Sequence, residues 1–267
     1  MIQPKKYLKK RLVDIFRIFN QPKASFTNET FHELRLVIKK FKSFLEFLQF
    51  ANSISLEACE LLKKIFRISG EIRNHQITIA KLTLIYPETL DNYRFCIDKK
   101  IKKLKLQFFK IIKHVSLKKI YAFYKKNLNH CEPITYKSVN HYINKLKSDI
   151  VYKFYKNLGE NDTLHAERIL LKKYIYMQKF IKSSQFNQPK LIGLTELLGN
   201  WHDNLIIETE LIKSIQFGEI IFNEINDINI CLKKINKVKN YLYEQSLKKI
   251  STVVIDNPIF LTFHVYI

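Results

Sequence analysis

The stretch FHELRLVIKKFK, residues 31–42, sets His32, Arg35, Lys39, Lys40 and Lys42 among apolar residues. These side-chain types hold anions. Arginine presents a planar fork for bidentate contact, lysine a compact ammonium, and neutral histidine one N–H donor. Beside a polyanion, histidine is favoured in its protonated form, because an opposite charge stabilises the cation. The pattern occurs again. TFHELRLVIKKFKSFLEF and TLHAERILLKKYIYMQKF both have Thr two residues before His and Arg at His+3. Both then have an apolar residue at +4 and Lys-Lys at +7 and +8, which makes His165, Arg168, Lys172 and Lys173 the second set. Some 34 to 38 residues after each histidine comes a second shared signature, Gly70-Glu-Ile-Arg73-Asn74 and then Gly199-Asn-Trp-His202-Asp203. Two ordered signatures at a near-constant offset indicate an internal duplication, with a period of about 130 residues that is too long for a solenoid.

Helical spacing gathers these residues. At about 100° per residue, with His32 at zero, Arg35, Lys39 and Lys42 fall within roughly 80° of it, and Lys40 flanks them. Leu34, Val37, Phe41, Phe44, Leu45 and Leu48 lie toward the opposite side. In the second copy His165, Arg168 and Lys172 form the same arc, with Lys173 beside it and Tyr176 on the same side. Leu170, Leu171, Tyr174, Met177 and Ile181 supply the apolar face. One such helix is an ordinary solvated amphipathic surface. Its recurrence at the same offsets predicts a paired site, and halves packed about a pseudo-twofold axis would turn both ridges toward one basic groove. Arg73, Tyr176 and His202 are additional candidates.

The elements that must position these ridges are helices. The 267 residues contain five glycines and six prolines, and 46% are hydrophobic, which predicts an all-α chain with a substantial core. Helices are expected near 4–20, 28–50, 54–69, 72–85, 90–128, 135–157, 161–183, 189–216 and 226–250, with N-caps at Asn28 and at Asn161 or Asp162. Breaks are expected at Asn20-Gln21-Pro22, Pro87, Pro133, Gly159 to Asp162, and Asn187-Gln188-Pro189. The first half spans about 1–133 and the second about 134–250. The apolar, β-branched segment 251–267 is a tail with no clear helical stripe.

Forty-six basic against 24 acidic residues, formally +22, point to a polyanionic partner. Only seven of the basic residues are arginine, a bias that an AT-rich genome would also produce. Cys59, Cys96, Cys131 and Cys231 are scattered, with no metal-binding pair, and are expected to be core thiols in a reducing compartment. The charged N-terminus lacks the apolar region of a signal peptide, and no apolar run approaches the roughly 20 residues that span a bilayer. A soluble, cytoplasmic protein is expected.

The repeated H-x-x-R-[VIL]-x-x-K-K element is carried here by His32, Arg35, Leu36, Lys39 and Lys40, then by His165, Arg168, Ile169, Lys172 and Lys173. With its trailing glycine segments RISGEIRNHQI and LTELLGNWHDNLII, it resembles the CHAD family, the conserved histidine α-helical domain. The likeness covers roughly residues 5–250, nearly the whole chain. It implies one CHAD-like domain of two four-helix bundles related by pseudo-twofold symmetry. It also implies a basic central groove that binds inorganic polyphosphate, and association with polyphosphate granules rather than catalysis. Two positions depart from the family pattern, Asn74 where an aspartate is usual and Ile175 where a basic residue is frequent, and lysine often replaces arginine.

Enzymatic alternatives lack their motifs. His32-Glu33 begins like a zinc-protease H-E-x-x-H, but Leu36 occupies the place of the second histidine. Neither a P-loop nor Gly-x-Ser-x-Gly is present, nor the alternating-glutamate segment of the triphosphate-hydrolysing domains that often accompany CHAD-like ones, so a stand-alone module is expected. No catalytic residue, metal site or cofactor is expected. Read as catalysis, His202-Asp203 would be an acid/base pair of a phosphate-ester or polyphosphate-processing enzyme. The plainer reading makes them helix-terminal or interhelix hydrogen-bonding residues, with Trp201 as packing. Nucleic-acid binding, to RNA in particular, is the other alternative, since the charge permits it although no reading motif is visible. Runs such as Lys99-Lys100-Ile101-Lys102-Lys103 and Lys118-Lys119 are expected to be solvated helix faces; the alternatives are an extension of the polyanion track or contact with anionic lipid.

Overall fold

A computed structural model describes residues 3–56, 58–85, 90–129, 131–156, 161–181 and 188–255. Among them there are nine α-helices and no strand: α1 (Pro4–Phe19), α2 (Asn28–Asn52), α3 (Glu60–Ile85), α4 (Asp91–Ile112), α5 (Leu117–Leu128), α6 (Tyr136–Lys156), α7 (Asn161–Ile181), α8 (Pro189–Gln216) and α9 (Ile225–Ile250). The all-α expectation holds. No helix among the described residues is long and apolar enough to cross a membrane. The breaks expected at Pro87 and Gly159, and residues 256–267 of the tail, lie outside the described residues, as do the side chains of Asn161, Asp162 and Ile181. The last described residues, Ser251–Ile255, continue α9 as a π-helical turn.

Two expected boundaries are corrected. Segments 54–69 and 72–85 form one helix, α3, which begins only at Glu60 and runs through Gly70 without interruption. Glycine there serves close approach, as shown below, and does not end the helix. The single helix expected over 90–128 is instead two. After α4 the His114 and Val115 amides turn back to the Ile111 and Ile112 carbonyls at 3.1 Å. Ser116 Oγ then accepts from the Lys119 amide at 3.4 Å and caps α5. The cap of α2 is also one residue earlier than expected: Thr27 Oγ1 accepts from the Thr30 amide, and Asn28 is the first helical residue.

The chain divides into two compact units, Met1–Leu84 with Asp91–Val139, and Ile85–Leu90 with Asn140–Ile267. In the first, α1 packs on α2 and α5. Tyr7 meets Phe44 across α1 and α2 with ring centroids 4.2 Å apart, and Phe41 meets Tyr124 of α5 at 5.5 Å. Phe26, Phe31 and Phe108 form a cluster at 5.1 to 5.5 Å that joins α2 to α4. Such aromatic contacts supplement area burial by about 0.5–1.5 kcal/mol per pair. In the second unit, α8 packs against α7 and α9. Trp201 is wholly buried, and Lys239 on α9 reaches Glu208 on α8 at 2.5 Å with both side chains largely covered. In each unit the helix bearing the histidine motif (α2, α7) is followed by the helix bearing the glycine signature (α3, α8).

Candidate functional site

In the first unit, Leu34, Val37, Phe41, Phe44, Leu45 and Leu48 are all buried, which fixes the rotation of α2. His32 is exposed, whereas Arg35, Lys39, Lys40 and Lys42 are half-buried. Arg35 Nη1 donates to the Phe66 carbonyl oxygen at 2.7 Å, and its guanidinium lies 4.3 Å from the centroid of the Phe66 ring. Lys42 Nζ lies 5.3 Å from that centroid, so Phe66 is a cation–π platform for both. One turn further along α3, a Cβ on Gly70 would stand 2.6 Å from Arg35 Nη1. The two sequence signatures therefore meet in space: the glycine admits the arginine onto the flank of α3. Burial holds the Arg35 guanidinium well below its usual range, at about 10, and the like charge of Arg73 pushes the same way. Arg73, half-buried on α3, thereby joins the ridge.

The second unit repeats the meeting with different neighbours. Leu171, Tyr174 and Met177 are buried, and Leu170 is half-buried. Arg168 is only 9% exposed, and its guanidinium lies 3.7 Å from where a Gly199 Cβ would stand. Its buried Nε has no hydrogen-bond partner among the described residues. Burial lowers the Arg168 pKa, while Asp203 and Tyr176 oppose that shift. Half-buried Lys172 is drawn down to about 8, first by burial and then by Arg168, with Asp203 opposing. Burial raises the pKa of Tyr176, against the pull of Arg168. His165 and His202 stack with centroids 4.1 Å apart and planes 27° apart. Lys173 is half-buried further along α7. His202 and Asp203 thus lie within α8 and face α7, rather than ending a helix.

The ridges do not stand wholly opposite their cores. Arg35 and Arg168 are drawn under the following helix, where desolvation strengthens their demand for an anion. Ile175, at the position that matches Lys42, is 7% exposed. Phe66 precedes Gly70 by four residues, and the residue at the same offset from Gly199 is Thr195, so the second unit lacks both the lysine and the ring it rests on. Spacing alone did not single out Phe66, although its place one turn before Gly70 is a usable signal. It also missed Glu167, which is 2% exposed at His+2, where the first copy has Leu34. Among the described residues no three His, Cys, Asp or Glu side chains are grouped to hold an ion. Glu33, the would-be base of a zinc motif, pairs with Arg17 at 3.2 Å.

Two cationic ridges, on α2 and α7, each with its arginine against a glycine of the following helix, are carried by a protein of the all-α class. More particularly, the fold is that of a CHAD domain. The structure matches the crystal structure of the CHAD domain from the plant Ricinus communis with a TM-score of 0.70, over 96% of this chain and 93% of that one, at 13% sequence identity. At that identity the likeness is one of fold. The sequence matches no protein-family model and no curated protein.

Proposed function

We propose that the protein binds inorganic polyphosphate without catalysis, through the two His/Arg/Lys ridges, and that it works in the cytoplasm at polyphosphate granules. The observation that carries this reading is the repeated meeting of a partly desolvated arginine with a helix glycine, tight for Arg35 at Gly70 and in ordinary contact for Arg168 at Gly199. A guanidinium held out of water and flanked by lysines gains more from an incoming phosphate than a solvated one does. The CHAD-like fold and the +22 formal charge support the same choice. A flexible chain of phosphates engages many such cations at once, and counterion release makes the binding steeply salt-dependent.

Charge reversal tests the reading. The quadruple variant Arg35→Glu, Lys39→Glu, Arg168→Glu, Lys172→Glu is expected to lose polyphosphate binding in gel-shift titrations at two salt concentrations, with helicity by circular dichroism retained. Undiminished affinity would place the binding surface elsewhere. Long-chain polyphosphate should also displace RNA readily; a preference for RNA would favour a nucleic-acid-binding protein instead.

A further inference from the structure

The outward face of α4 has a composition that anion binding by the ridges does not use. Phe95 is 58% and Leu106 72% exposed, and Lys99, Lys102, Lys103 and Lys110 are exposed around them. With Phe95 at zero, Leu106 falls at about 20°, Lys99 at about 40°, Lys102 at about −20°, Lys110 at about 60° and Lys103 at about 80°. Tyr93, Ile97, Ile101 and Phe108 are buried on the other side, so core packing fixes which face is outward. The stripe from Phe95 to Lys110 is roughly 22 Å long. Its acidic residues stand along one edge, where Asp91 is paired to Arg94 at 3.6 Å and Asp98 lies one turn before Lys102. Lys99 Nζ covers the Phe95 ring at 4.2 Å, so even that ring is presented beneath a cation.

We infer that this face of α4 docks on anionic lipid bilayers, with the lysines at the headgroups and Phe95 and Leu106 entering the interface. Two properties favour a bilayer over another polyanion. A phosphate polymer or nucleic acid gains from the lysines but offers nothing to a protruding leucine. An interfacial helix needs both cations for the headgroups and apolar side chains for the acyl boundary. The cations are all lysine, which suits diffuse attraction to a charged surface rather than fork-like recognition of single groups. No described helix can span the membrane, so the attachment is peripheral and reversible.

Co-sedimentation with phosphatidylcholine vesicles, with and without phosphatidylserine, tests this directly. The full chain should sediment with the phosphatidylserine vesicles and stay in solution with phosphatidylcholine alone. Phe95→Ser with Leu106→Ser leaves the charge unchanged and should weaken partitioning roughly tenfold. Lys99→Glu with Lys102→Glu should abolish it. Lys9→Glu with Lys10→Glu, a pair exposed on α1, changes net charge equally and should preserve most of the binding. Polyphosphate affinity should survive the Phe95/Leu106 exchange, which separates this site from the ridges. The inference is overturned if the Phe95/Leu106 variant partitions like the parent, if the α1 pair loses as much as the α4 pair, or if phosphatidylserine makes no difference.

Discussion

Gly70 and Gly199 hold corresponding places in α3 and α8, but the arginine stands at different distances from each. At Gly70 an added Cβ would stand 2.6 Å from Arg35 Nη1, so the guanidinium must shift, which puts its hydrogen bond to the Phe66 carbonyl at risk. A hydrogen bond from a charged donor contributes about 1.5–3 kcal/mol. Alanine in place of glycine in a helix interior returns about 1 kcal/mol. Gly70→Ala should therefore destabilise the protein by about 1 kcal/mol in urea unfolding and weaken polyphosphate binding. At Gly199 the nearest Arg168 atom would be 3.7 Å away, an ordinary contact, so Gly199→Ala should be neutral or stabilising by up to about 1 kcal/mol. Equal stabilisation by both would show that Arg35 does not require the glycine. The sequence displayed both glycines as signatures but not their purpose. Spacing within one helix says nothing about which side chain the next helix leans on.

Along α7 the apolar register was legible, and its exception was not. Tyr174 and Met177 lie inside as their spacing predicts, yet Glu167 occupies the core-facing position of Leu34. A carboxylate at an inward register is visible in sequence only when the two copies are aligned residue by residue. Its environment requires the tertiary structure: burial raises the Glu167 pKa to about 7, and Lys153 opposes the shift. Between the ordinary value of 4.5 and 7, the folded chain holds a proton that the unfolded chain has lost. Stability therefore falls as pH rises through that window and levels off above it. Glu167→Gln keeps the shape without the charge, so at pH 8 it should be more stable than the parent by on the order of 2 kcal/mol, and near pH 4.5 about equal. Urea midpoints at the two pH values measure this, and a constant difference would remove Glu167 as the cause. Helix ends were less legible than helix faces for a related reason. The break before α5 depends on one serine cap, and the continuity of α3 depends on a glycine that tertiary contact makes useful.

At the scale of the whole molecule, low glycine content and apolar periodicity made the helical class readable, and the repeated motif made the two ridges readable. Their inequality was readable only in part. Asn74 and Ile175 were visible as departures, but their consequence follows from what surrounds them. The first ridge sets Arg35 and Lys42 against Phe66, with the like charge of Arg73 acting on Arg35. The second sets Asp203 against Arg168 and Lys172, and buries an isoleucine where the first has Lys42. If polyphosphate binds both, the ridges should respond differently to pH. Lys172, drawn down to about 8, is charged below that value and loses its charge as pH rises through it, whereas Arg35, at about 10, stays charged. A bound polyanion favours the ammonium form and moves the loss upward without abolishing it. With the first ridge removed by Arg35→Glu and Lys39→Glu, polyphosphate affinity should fall roughly 3–10-fold between pH 7 and pH 9. With the second removed by Arg168→Glu and Lys172→Glu, it should change much less. Adding Lys172→Arg to the first background should flatten its profile, because the guanidinium remains charged throughout. Parallel profiles in the two backgrounds would mean that Lys172 does not face the ligand, and that the second ridge engages it through Arg168 and the histidine pair instead.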